Sequence, residues 1–208
     1  MKIYAACLAS YNAGILHGAW IDATDDADEM SESIRAMLRK SPCPNVTVEC
    51  PDCEGDGRPY GFNSDSDKEN ICETCKGKGE VPSAEEYAIH DYEGIPSTFG
   101  EYPSLESIAD FVALCDEYDY IDSDDIAAIV ADIGAEYVAD KLRDDFCGIF
   151  DSFRDYSDDA ADEMLSAHDI KDDSPLARYF DYEAFARDLR HDMNTVELPS
   201  GNVAVFYA

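Results

Sequence analysis

Four cysteines carry the plainest chemistry in this chain. They stand in CPDCEGDG (50–57) and CETCKGKG (72–79), two copies of CxxCxGxG with 18 residues between the cysteine pairs. Cys50, Cys53, Cys72 and Cys75 supply four thiolates, the donor set and spacing of a tetrahedral zinc site. Four protein ligands close the coordination shell, so the expectation is one structural zinc ion with no open position for a substrate. Glycines after each pair let the backbone turn tightly around an ion. Cys43 is a less regular substitute ligand, and Cys7, Cys115 and Cys147 are scattered. Pro42 and Pro82 bracket the segment, as expected of a small module (43–83) inserted into another domain.

Other chemistry is sparse. His90-Asp91, His168-Asp169 and His191-Asp192 have the residue types of metal phosphohydrolases, but Asp is abundant enough for chance to produce such pairs. No HExxH, GxSxG or Walker A loop occurs. The acidic tracts NSDSDKEN (63–70) and DYIDSDDI (119–126) lack the glycine and glutamate of a calcium loop. No catalytic residue is expected.

The charge is the outlying property. The 208 residues carry 47 acids against 15 bases, a formal charge of -32. Residues 1–42 hold 6 acids and 4 bases, 43–83 hold 9 and 4, and 84–208 hold 32 and 7, so the acidity belongs to the second half. Direct binding to nucleic acid is not expected, because it depends on Lys and Arg releasing counterions. Adaptation to high salt would acidify the whole chain, and residues 1–42 are not acidic. The 45% hydrophobic content is enough to bury a core. The N-terminus lacks a charged leader and cleavage site, and no apolar run nears the roughly 18 residues of a membrane helix. A soluble, cytoplasmic protein with no membrane partner is expected.

The elements that must position these groups read as α+β. KIYAACLASYNAG and ILHGAWIDA suggest two strands around a turn at Tyr11–Gly14. DADEMSESIRAMLRK reads as a helix with Ile34, Met37 and Leu38 on one face. Leu105, Ile108, Ala109 and Val112 share a helical face. Ile126, Ile129, Val130, Ile133, Tyr137 and Val138 share another, running through residue 138. Further helices are expected over 157–168 and 182–192, and a hairpin over 195–208. In the second of these patterns Asp125, Asp132, Glu136 and Asp140 recur at intervals of seven, four and four. Four residues of helix rise about 6 Å, comparable with the interval between successive phosphates. Duplex DNA carries one charge per ~1.7 Å, so the formal charge would match roughly 54 Å of it. A solvated helix face explains the same spacing.

Two resemblances follow. CxxCxGxG resembles the cysteine-rich modules of DnaJ-type co-chaperones, in two copies and without a His-Pro-Asp signature; it leaves open a zinc-dependent peptide-binding or chaperone adaptor. YNAGILHGAWIDA (11–23), EEYAIHDYEGIP (85–96), DDFCGIFDSFRDYSDDAADEM (144–164) and YFDYEAFARDL (179–189) together resemble ArdA-type antirestriction proteins, over nearly the whole chain outside 43–83. That resemblance implies an elongated homodimer, encoded by mobile elements, that mimics DNA and occupies the DNA-binding groove of type I restriction–modification enzymes. It implies three small domains: an α+β one at 1–103 carrying the zinc insertion, a helical one at 104–143 and an α+β one at 144–208. The antirestriction motif would run from Asp144 to Met164. Its acids Asp144, Asp145, Asp151, Asp155, Asp158, Asp159, Asp162 and Glu163 become candidates for phosphate imitation. Phe146, Gly148, Phe150 and Phe153 would serve packing or a dimer contact.

Overall fold

The apolar run in KIYAAC makes β1 (Lys2–Cys7) a central strand, with Ile3, Ala5, Ala6 and Cys7 all buried. It lies between β2 (Gly18–Asp22) and β5 (Tyr87–Glu93), antiparallel to both. This computed structural model describes residues 1–58, 71–171 and 174–208; the tract NSDSDKEN lies outside them. The chain forms two compact units, Met1–Ala113 and Leu114–Ala208.

In the first unit, the expected turn after β1 is instead a short helix, α1 (Leu8–Asn12). The Ala13 and Gly14 N–H groups return to the Ser10 and Tyr11 carbonyls at 3.0 and 2.9 Å, so the turn residues close the helix. α2 (Ala27–Leu38) starts where the Asp26 carboxylate accepts from the Asp28 and Glu29 amides at 2.9 and 3.1 Å. It buries Met30, Ile34, Met37 and Leu38 against β1 and β2. β3 (Val46–Glu49) and β4 (Glu80–Ser83) form a separate antiparallel pair, the stem of the cysteine module. After a one-turn 3-10 helix (Ser97–Phe99), α3 (Leu105–Glu117) is capped by Ser104, whose hydroxyl accepts from the Ser107 amide at 3.0 Å. The unit boundary falls inside α3.

The second unit places α4 (Ser123–Ile133) and α5 (Val138–Asp144) ahead of β6 (Phe146–Phe150), α6 (Phe153–Ala167) and α7 (Tyr182–Leu189). A hairpin of β7 (Met193–Glu197) and β8 (Val203–Tyr207) closes the chain, and the sheet order is β6-β8-β7, all antiparallel. Val203, Ala204, Val205 and Phe206 on β8 are buried, with Ala161 and Leu165 of α6. α4 packs on β7 and α5 on β6, so residues 114–143 share a unit with 144–208. The helix expected through residue 138 is broken at Gly134, which ends α4 at φ +96°. The Val138 amide bonds back to the Gly134 carbonyl at 3.1 Å, and α5 starts afresh. Helices and small antiparallel sheets together make the chain α+β.

Candidate metal centre and acidic surface

The two knuckles are built alike, residue for residue, at an offset of 22. Glu54 and Lys76 both adopt left-handed φ, at 47° and 54°, and Gly57 and Gly79 both sit at 75°. The Cys50 amide donates to the Gly79 carbonyl at 2.8 Å, and the Cys72 amide to the Gly57 carbonyl at 2.9 Å. Each knuckle therefore locks onto the end of the other. Glycine is required at these ends: a Cβ on Gly57 would lie 2.6 Å from the Gly77 carbonyl oxygen, and one on Gly79 would drive into the Gly55 carbonyl. Thr74 donates its hydroxyl to Asp52 across the same interface.

This arrangement gathers four buried thiols whose Sγ atoms all lie within 4.8 Å of one another. Cys50 and Cys72 are 3.8 Å apart, and Cys53 and Cys75 are 3.7 Å apart. A disulfide needs about 2.05 Å, whereas tetrahedral bonds of about 2.3 Å from one ion place sulfurs ~3.8 Å apart. The cluster can hold a metal ion. The Gly57 and Gly79 amides donate to Cys53 and Cys75 Sγ at 3.2 and 3.3 Å, bonds that stabilise thiolates. Burial pushes the Cys53 thiol up to about 12. At Cys75 burial acts the same way, but the Gly79 amide and the neighbouring thiols outweigh it and bring the group to about 7. Among the described residues no histidine joins a group of this kind, and Cys43 stands outside it.

The acidic candidates separate into three kinds. Asp125 is buried, 5% exposed, and accepts the Ser200 amide of the β7–β8 turn at 3.0 Å. It holds α4 to the hairpin and presents no charge to a partner. Asp125→Ala removes that hydrogen bond between α4 and the hairpin turn and should cost about 0.5–1.5 kcal/mol. A thermal melt should show this as a lowered Tm, with Asp125→Asn largely restoring it because an amide oxygen still accepts.

The second kind is partnered. Arg143 reaches Asp140 at 2.5 Å and Asp144 at 3.1 Å, and its hydrogen bond holds the Asp144 carboxyl below the usual range. Lys141 meets Asp145 at 2.7 Å, and these three acids share a depression of about 420 Å³ with Tyr137. Asp155 meets the hydroxyl of Ser152, the α6 N-cap, at 2.5 Å. Asp158 pairs with Arg154 at 2.8 Å, and Asp162 accepts from the Tyr182 hydroxyl at 2.5 Å.

The third kind, Asp132, Glu136, Asp151, Asp159 and Glu163, is exposed, without an ion-pair or hydrogen-bond partner among the described residues. The break at Gly134 sets Asp132 on α4, Glu136 between helices and Asp140 on α5, so the carboxylate row expected along 125–140 does not form one rail. An unbroken rail stands on α6 instead. Asp155, Asp159 and Glu163 follow at four-residue steps of about 6 Å, with Asp158 and Asp162 beside them. Asp116, Glu117, Asp119 and Asp124 are also exposed, and sequence reasoning passed over them. Their only signal was the density of acids in DEYDYIDSDD.

Comparison with known proteins gives one finding. A family model described as Antirestriction protein (ArdA) matches residues 3–204. No curated protein matches the chain.

Proposed function

The chain belongs to the ArdA family of antirestriction proteins, and from that premise we propose that it inhibits type I restriction–modification enzymes by occupying their DNA-binding groove. The family's proteins are inhibitors rather than enzymes. One observation carries the DNA-mimic reading: the α6 rail of carboxylates, in which Asp159 and Glu163 have no partner among the described residues, on a chain of formal charge -32. An enzyme groove that grips phosphates with Lys and Arg meets carboxylates at comparable intervals. The phosphate-imitating set is Asp132, Glu136, Asp140, Asp144, Asp145, Asp151, Asp155, Asp158, Asp159, Asp162 and Glu163, drawn from the segments 104–143 and 144–208. Asp125 drops out because it is buried.

The homodimer belongs to the same proposal. β6 is an edge strand of sequence FCGIF, uncharged and half-buried along its length. Edge strands are ordinarily guarded by charge or proline. β6 carries neither, and beyond its irregularity at Phe146–Gly148 the stretch Gly148–Phe150 fits antiparallel pairing with a second copy about a two-fold axis. Sedimentation of the purified protein is expected to give twice the chain mass. The metal is zinc, one structural ion per chain, supported by the all-thiolate set and its sulfur spacing. The proposal places its action in the cytoplasm, where restriction–modification enzymes work; no helix among the described residues is long and apolar enough to cross a membrane.

The test is a competition titration. Labelled target DNA is bound to a type I methyltransferase core, and the protein is added at low and at high salt. Displacement that weakens as salt rises is expected, since exposed charge pairs are screened. No displacement at either salt would overturn the proposal.

A further inference from the structure

The cysteine module's first strand has one edge in use and one open. β3 pairs with β4 alone in a two-stranded sheet, in the register Val46↔Ser83, Thr47↔Pro82, Val48↔Val81 and Glu49↔Glu80. The Cys50 amide bonds to Gly79, the next pair in that register. Bonded and non-bonded pairs alternate in an antiparallel ladder, so Thr47 and Glu49 turn their N–H and C=O groups away from β4. Pro82 opposite Thr47 agrees, because proline has no N–H to give. No described strand takes up the outer edge.

That edge forms one side of a groove of about 790 Å³, and α2 forms the other. Leu38, Val48 and Ala84 give it an apolar lining. Its two arginines, Arg35 and Arg39, are both engaged by Glu32, at 3.7 and 2.6 Å. Glu49, Glu54 and Glu85 line the same groove, are exposed, and have no cationic partner among the described residues.

We propose that this groove binds an extended, basic segment of another protein as an added strand on β3. Its lysines or arginines meet Glu49, Glu54 and Glu85, and its intervening apolar side chains lie on Leu38 and Val48. Four residues of β3 offer about 13 Å of edge, enough to fix a short strand in register. The surplus of groove carboxylates and the chain's charge of -32 both select a basic occupant over an acidic one. Cys50 and Pro51 belong to the groove wall, so its shape depends on the folded knuckle. The inference goes beyond restriction inhibition and uses none of the acids assigned to it.

The test uses the full, metal-loaded chain and short fluorescein-labelled peptides, one alternating valine with lysine and one alternating valine with glutamate. The basic peptide is expected to bind, to slow hydrogen exchange at the Thr47 and Glu49 amides, and to lose affinity several-fold in a Glu54→Lys, Glu85→Lys double variant. The acidic peptide is expected not to bind. Binding that leaves exchange at Thr47 and Glu49 unchanged, or that ignores the double variant, would overturn the proposal by placing the peptide on acids elsewhere. Absence of binding, or equal binding of the acidic peptide, would overturn it as well. Displacement of DNA from the methyltransferase core by the same variant should match the unaltered protein, which separates failure here from failure of the inhibitor reading.

Discussion

Chelating the metal is expected to unfold residues 46–58 and 71–83 while the sheet of β1, β2 and β5 stays folded. The buried cluster of the module is Cys50, Cys53, Cys72, Cys75 and Val81, with Val48 packed against it. Four of those five residues are the cysteines that can hold the ion, so nearly all of the core is the candidate site itself. Structural zinc in small peptide modules contributes roughly 10–16 kcal/mol of apparent binding energy at neutral pH. No comparable apolar burial stands in reserve here. Without the ion, four thiols and the acids Asp52, Glu54 and Asp56 are left crowded on short turns. The sheet does not share this dependence, because Ile3 on β1, Met30 and Ile34 on α2 and Ile89 on β5 are buried outside the module's cluster. The stem is tied to α2 by the Ala84 amide donating to the Leu38 carbonyl at 3.2 Å, and that link should mark the limit of the unfolding. Amide hydrogen exchange before and after chelation checks this, and Cys72→Ser should reproduce the chelated state. Protection that persists between Cys50 and Lys78 after complete metal removal would show that the module has stability of its own.

The module was the most legible part of the chain because its chemistry is local. Two short runs named the four cysteines that the fold gathers within 4.8 Å of one another, and the tight turns followed from the glycines. The helix at 27–38 was legible for a similar reason, since its acids lead and its apolar residues keep one period, whereas α6 begins at Phe153, four residues ahead of the expected 157–168, because Ser152 caps it there. The failures were tertiary. Ile126 to Val138 keep a helical period straight through Gly134, yet the backbone turns to φ +96° there and starts a second helix. Asp125 had the spacing of a surface acid, and only the fold reveals Ser200, 75 residues away, as its partner. The open edge of β3 was likewise unreadable, since which edge of a strand is taken depends on what the rest of the chain brings beside it.

Neutralising Asp132, Glu136, Asp151, Asp159 and Glu163 together, to Asn and Gln, is expected to weaken displacement of DNA by about 5-fold to 5,000-fold. Each exposed charge contact contributes on the order of 0.2–1 kcal/mol, and five such contacts sum to about 1–5 kcal/mol. Any one of the changes alone should shift the titration by no more than a few-fold. The salt dependence of the quintuple variant should also flatten, because fewer charge contacts remain to be screened. Folding should move the opposite way. Asp159 and Glu163 repel across one turn of α6, and removing that repulsion stabilises a helix by about 0.2–0.5 kcal/mol. A variant that is slightly more stable yet inhibits far less would show that these acids are kept for a partner and not for the fold. Two results would contradict that: unchanged inhibition in the quintuple variant, or collapse on a single Asp→Asn change. The first removes the unpartnered acids from the interface, and the second replaces diffuse mimicry with one indispensable contact.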